Sequence, residues 1–429
     1  MLPHSGSQGA AAQEFIMTRF SSNSLRVLRP SLLAGLMRVA CVAAPLWLAA
    51  CSTATSRLDV SATAFFNDAD FAPSTEPIDP ADVSKVTPQM QAYIDHQILP
   101  NSKSHGLQAG LTDALYTRSK LQLEYEASIT RNAAEAFDAR QGNCLSLVIM
   151  TGAFAKALGL AVTFQEVSTD EMWSRTGDLY FMSGHVNLQL ERKFVDALSK
   201  YDRFSQYTID FMPPPETLGV QVRAISEKTV LAMYMNNRAA EALVLGQVDN
   251  AYWRAREAIR LDPQFLSAYN TLAVIYLRHN DPARSANVLQ ASLAAAPDNP
   301  RMLANYAQAL RMLQRGPEAD AVQARLAAVE PHPPFFYFNR GQAAMKTGDF
   351  FTARQMFKLE LARAPDYHEF HYALAIADFG LGRLEEARSE LAIALDSAVK
   401  RTDHDLYAAK LDKLKSYRQW TPAAQPTVQ

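Results

Sequence analysis

The sequence predicts two folded parts in series, an α+β domain followed by an all-α solenoid. Three patterns carry that prediction. Residues from about 232 to 399 repeat with a fixed step, residues 81–228 mix helical and alternating patterns, and residues 1–50 have the makeup of a leader rather than a fold. At 429 residues the chain is too long for one ordinary domain. A net charge of −2 with 20% charged residues removes the electrostatic case for nucleic acid, so partners have to be sought at particular sites.

In the leader, Arg19, Arg26 and Arg29 precede an apolar run that follows Arg38, extends from Val39 to Ala50 and is interrupted by Pro45. Twelve residues are too few to span a bilayer and suit a secretory h-region. Its end, Leu48-Ala49-Ala50-Cys51, resembles the lipobox of bacterial lipoproteins. That resemblance implies lipidation of Cys51 as the first mature residue, and Ser52 after it implies sorting to the outer membrane, facing the periplasm. An uncleaved apolar anchor is the alternative, and Met17 and Met37 are alternative starts. Residues 51–80 then comprise the lipidated cysteine and a tether rich in Ser, Thr, Ala, Asp and Pro, expected to be flexible. With Cys41 and Cys51 in the leader, Cys144 is the only cysteine of the body, and no intramolecular disulfide framework can form.

The second half announces itself by period. Pro263, Pro297, Pro331 and Pro365 are 34 residues apart, and two series of small residues keep the same step: Ala251, Ser285, Ala319, Ala353 and Ala387, and Ala239, Ala273, Ala307, Gly341 and Ala375. Small residues let two helices approach closely, and proline ends the second helix before the next unit begins. One such unit cannot bury its apolar face, so five must stack around a concave groove. The pattern resembles the tetratricopeptide repeat family, within a solenoid at residues 229–415 and before a disordered tail at 416–429. The fifth repeat has Val399 where proline would fall, as a cap should.

Asn237, Asn270, Asn305, Asn339, Arg301, Arg311 and Lys346 are expected on the inner helices, where they can hold an extended peptide backbone or carboxylate of a protein partner. A purely structural solenoid packed on the N-terminal domain is the alternative. His368 and His371 have helical metal-ligand spacing but no cysteine beside them. They read as solvated helix residues, and no metal or cofactor is expected.

In the domain at 81–228, Val83 to Ile98 and Leu111 to Arg118 read as helices, and Leu121 to Ala127 as a strand. Ala133 to Arg140 reads as a helix entered from Thr130 as N-cap. Leu145 to Leu158, ended by Gly159, is apolar on nearly every face and so predicts a buried helix. Asn143 is its N-cap, which sets Cys144 in the first turn, where unpaired N–H groups and the positive helix end favour a thiolate.

Leu160 to Val167 reads as a strand and Ser168 to Gly184 as a polar loop carrying Trp173. Two further strands, His185 to Leu190 and Phe194 to Leu198, are joined by Glu191-Arg192-Lys193. A turn at Glu191-Arg192 would set Asp196 opposite Asn187 and diagonal to His185, with backbones about 7–8 Å apart, whereas a loop of odd length would split His185 and Asp196 onto opposite faces unless a bulge intervened.

The runs Arg140-Gln141-Gly142-Asn143-Cys144-Leu145-Ser146, Gly184-His185-Val186-Asn187-Leu188 and Phe194-Val195-Asp196 together resemble the transglutaminase-like superfamily of papain-fold cysteine enzymes, over residues 110–200. The resemblance implies Cys144 as nucleophile, His185 as general base and acid, and Asp196 as the carboxylate orienting the imidazole. It implies attack on a peptide or carboxamide carbonyl through an acyl-thioester, with water or an amine as acceptor. The backbone N–H of Cys144 supplies one oxyanion donor; Gln141 and Trp173 are candidates for a second, and Asn143 supports the site. The rival is a non-catalytic scaffold in which the solenoid mediates protein–protein interaction and Cys144 is an inert core cysteine.

Overall fold

The computed structural model describes residues 61–116, 121, 123–126, 129–176, 179–191, 207–211, 221–398 and 401–419. The leader with Cys51, and residues 192–206 with Asp196, lie outside the described residues. Among the described residues no helix is long and apolar enough to cross a membrane.

The domain begins with α1 (Pro80–Val83) and α2 (Pro88–Tyr93), each with proline in its first turn, where a missing N–H costs nothing. Asp79 caps the first by accepting from the Ala81 N–H and Thr87 caps the second by accepting from that of Met90. A π-helical turn, Ile94–Ile98, carries α2 into α3 (Leu99–His105), and Gly106 at φ 88° breaks the chain before α4 (Leu107–Tyr116). Strand β1 (Glu124–Tyr125) pairs in parallel with β2 (Gln141–Gly142), with α5 (Ala133–Ala139) between them in sequence.

The cap of α5 is Asn132, in a reciprocal box with Glu135, rather than Thr130. Helix α6 (Cys144–Ala157) starts at Asn143, whose side chain accepts from the Ser146 N–H, and is buried from Cys144 to Ala155. A Cβ at Gly142 would come 2.7 Å from that of Ser146, so the close approach of β2 to α6 requires glycine there.

Strands β3 (Ala161–Thr176) and β4 (Leu179–Glu191) form a long antiparallel hairpin, flanked by β5 (Tyr207–Ile209) on β4 and β6 (Gln221–Ile225) on β3. Residues expected as a polar loop from Ser168 onward therefore continue the two strands. A register irregularity between Val167 and Met172 lets Trp173 pair with Met182. Ladder pairing satisfies the backbone there whatever the polarity of the side chains, because an antiparallel ribbon tolerates water on its faces. Val186, Leu188 and Leu190 of β4 lie in the core beneath α6.

Only Ser226 separates β6 from α7 (Glu227–Val244), which it caps by accepting from the Thr229 N–H. Helix α7 pairs with α8 (Val248–Leu261), α9 (Leu266–Arg278) with α10 (Pro282–Ala295), and α11 (Pro300–Met312) with α12 (Gly316–Val329). Two more pairs follow, α13 (Phe336–Lys346) with α14 (Phe350–Leu361) and α15 (His368–Gly380) with α16 (Leu384–Asp396), before α17 (Arg401–Gln419) closes the solenoid. The periodic prolines follow the ends of α8, α10, α12 and α14, and both small-residue series are buried throughout.

One core cluster runs from Phe65 through the domain to Leu303, so the domain and the first repeats share an interior. A separate core gathers Phe335, Phe338, Phe357 and Phe370. Between them lies Pro331-His332-Pro333-Pro334, followed by Phe335 at φ 63°, a left-handed conformation for a bulky residue.

Residues 61–79, expected to belong to a flexible tether, are strapped against the first repeats. The Phe71 ring stacks on Tyr252 with centroids 3.8 Å apart, and Tyr276 Oη donates to the Phe65 carbonyl at 2.6 Å. Trp253 Nε1 donates to the Ala72 carbonyl, while Arg256 and Arg284 pair with Asp68 and Asp70, both at 2.9 Å. A polar average composition concealed Phe65, Phe66 and Phe71, which give the segment an apolar edge.

Candidate functional site

Cys144 is the free cysteine of the described residues and is 6% exposed. Its position follows from local chemistry. Asn143 Oδ1 accepts from both the N–H and the Oγ of Ser146, and Asn143 Nδ2 donates to Thr130 Oγ1 at 2.9 Å. The buried Thr130 in turn donates its N–H to Glu241 Oε1 of α7 at 2.7 Å. The turn that presents the thiol is thus braced from the solenoid. Burial pushes the Glu241 carboxyl pKa up, against the lowering effect of the bonds from Thr130 and Arg238.

His185 is 2% exposed, and its Nε2 lies 2.8 Å from both carboxylate oxygens of Asp210. Asn187 Nδ2 donates to the same carboxylate at 3.0 Å. With Nε2 taken by Asp210, the buried Nδ1 of His185 is the nitrogen left for the neighbouring thiol. Burial alone would depress the imidazole pKa; hydrogen bonding and charge from Asp210 and Cys144 outweigh it and bring the pKa to about 9. The ring is therefore an imidazolium at neutral pH, held by one carboxylate, beside a thiol at a helix N-terminus.

The carboxylate on His185 is Asp210, the role for which Asp196 was expected. The geometric requirement was a carboxylate opposite Asn187 on a strand beside β4. Extending the β4–β5 register, in which Leu188 faces Ile209, by one residue places Asp210 there. The nearest downstream strand pattern pointed to Asp196; Tyr207-Thr208-Ile209-Asp210 is a fainter signal of the same kind, three strand residues and a carboxylate.

Tyr125 was not foreseen, because a strand of two residues leaves no periodicity. Its Oη lies 4.0 Å from Cys144 Sγ and accepts from that thiol, and desolvation followed by the neighbouring Cys144 pushes its pKa up. Gln141 is half-buried in β2, three residues from the thiol, and Trp173 lies on the outer part of the β3–β4 hairpin, past the irregularity.

In the solenoid, Asn305 Nδ2 donates to Asn270 Oδ1 at 2.9 Å, a rung between successive inner helices. Asn237 and Arg301 are half-buried, and Arg311, Asn339 and Lys346 are exposed. None of these seven lines the concave cavity of about 280 Å³ between α13, α15 and α17. His368 Nδ1 meets Tyr407 Oη at 2.8 Å and His371 lies between Glu390 and the Pro365 carbonyl, so both rings have structural partners. No group of side chains suited to a metal ion occurs among the described residues.

The tetratricopeptide repeat family matches residues 236–300, 270–333 and 338–399, so the C-terminal region is a run of tetratricopeptide repeats preceded by a region that contains sheet. Similar solved structures include TTC0263, a thermophilic tetratricopeptide protein of Thermus thermophilus, at 24% identity over 42% of this chain and 98% of that one, with a TM-score of 0.28. PilF of Pseudomonas aeruginosa is similar at 18% identity over 45% and 88% of the two chains, with a TM-score of 0.29. YrrB, described as a tetratricopeptide protein with an unusual peptide-binding site, is similar at 18% identity over 42% and 92%, with a TM-score of 0.23. No curated protein matches the sequence.

Proposed function

We propose that this protein is an interaction scaffold whose tetratricopeptide solenoid holds a protein or peptide partner. The observation that carries this is the solenoid itself: five helix pairs in family register, with a concave cavity left open between inner helices. The Leu48-Ala49-Ala50-Cys51 run supports attachment to the outer membrane through lipid on Cys51. Metabolic labelling with palmitate that disappears in Cys51→Ala tests the attachment. For the scaffold, crosslinked partners are recovered from cells carrying wild-type protein and from cells carrying Cys144→Ala. Equal recovery and an unchanged phenotype are expected, and loss of both in a folded variant would defeat the scaffold.

A second reading is favoured by the grouping of Cys144, His185 and Asp210. On it, the thiolate of Cys144 adds to a peptide or carboxamide carbonyl, His185 gives its proton to the departing amine, and an acyl-thioester remains. Water or an amine then releases the acyl group as acid or amide and regenerates the thiol. Alkylation of Cys144 followed by intact mass decides it. Rapid labelling well below pH 8 that is lost in His185→Ala supports this chemistry, and labelling that follows an ordinary thiol, with a pKa of about 8.5, rejects it.

A further inference from the structure

The concave cavity has a definite chemistry. Its walls come mainly from three inner elements, Phe338 and Met345 of α13, Tyr372 and Ile376 of α15, and Leu406 and Tyr407 of α17, with Phe357 of α14 beside them. Ile376 and Leu406 are 37% and 43% exposed, so the apolar surface is open to solvent, and Tyr372 and Tyr407 stack with centroids 4.8 Å apart. The charged residues in the lining are Glu369 and Asp403, both carboxylates, and neither has an ion pair among the described residues. Their field is felt locally. After burial, Asp403 and then Glu369 are the next causes that push the Tyr407 hydroxyl pKa up.

From this juxtaposition we infer that the cavity between α13, α15 and α17 takes a lysine or arginine side chain of a partner peptide, together with an apolar residue beside it. Charge complementarity selects the occupant. The aliphatic stem of a long cationic side chain covers the apolar wall while its head reaches the two carboxylates. An acidic segment would meet repulsion, and a purely apolar one would strip water from Glu369 and Asp403 without replacing it. This deepens the scaffold reading and rests on it.

The test is selection of displayed random peptides on the immobilised full chain at low salt, with Glu369→Gln/Asp403→Asn alongside. Wild type is expected to enrich peptides in which Lys or Arg adjoins an apolar residue. The double variant is expected to bind one such synthetic peptide about five- to tenfold more weakly, the effect of two partly exposed charge pairs. Leu406→Lys, at a position already open to solvent, should abolish that binding by supplying its own ammonium, and serves if the double variant misfolds. Enriched peptides with no basic excess, or full affinity in both variants, would overturn the inference and leave the solenoid as a peptide binder. Absence of any enriched peptide would overturn both.

Discussion

Replacing Asp210 by Asn should reverse the pH dependence of stability between about pH 5 and 9. His185 has its pKa raised from 6.5 to about 9 in the folded protein. A raised histidine contributes stability that is fully present below the unfolded pKa and is lost as pH rises through the folded one. The window is therefore 6.5 to about 9, and a rise of that size has a ceiling of about 3 kcal/mol. Without the Asp210 carboxylate, burial governs the ring and its folded pKa falls below 6.5. The neutral ring then favours folding, and stability increases as pH rises toward 6.5.

Urea unfolding at several pH values, in a Cys144→Ser background that removes the titration of the thiol, reads the two slopes directly. The wild-type site should lose about 1–3 kcal/mol from pH 6 to 9.5, less than the ceiling because Cys144 supplies part of the rise. Equal slopes with and without Asp210, or an imidazole that titrates by NMR at or below 6.5 with Asp210 present, would refute the coupling.

Three further outcomes are expected. Gly341→Ala would drive a Cβ into the buried Phe357 ring and should cost about 1–3 kcal/mol, read as a lowered thermal midpoint of the C-terminal repeats. Phe71→Ala removes the ring stacked on Tyr252 and should cost about 3–5 kcal/mol while exposing residues 61–79 to chymotrypsin; a strap that stays resistant would contradict its anchoring. Glu241→Ala leaves the Thr130 N–H without its acceptor and should lower the urea midpoint by about 1–3 kcal/mol equivalent, and an unchanged midpoint would remove Glu241 from the support of the Cys144 turn.

What was legible in the sequence is what local chemistry or strict period determines. The 34-residue step located the helix pairs because close helix contact admits only small residues such as Ala239 and Ala251, which are fully buried. Asn143 announced the start of α6 because an N-cap is a property of a few adjacent residues. The partner of His185 was not legible in the same way. Asn187 and Asp210 meet through strand pairing across a long intervening segment, and sequence distance carries no register. Thr130 looks like a helix cap by spacing, yet Asn132 forms the reciprocal box with Glu135 and leaves Thr130 to Asn143 and Glu241. The strap escaped notice because three phenylalanines matter more to its placement than the polar residues around them.

The break between the two cores separates the cavity from the thiol. Cys144, the strap and the first repeats are tied through one apolar interior that ends near Leu303, whereas the cavity at α13, α15 and α17 belongs to the far side of Pro331 to Pro334. Arg363 holds the His332 and Pro333 carbonyls to the far repeats and Phe335 sits in their core, so the seam between the two interiors falls ahead of His332, and a partner seated in the far cavity engages a different interior from the one that holds the thiol.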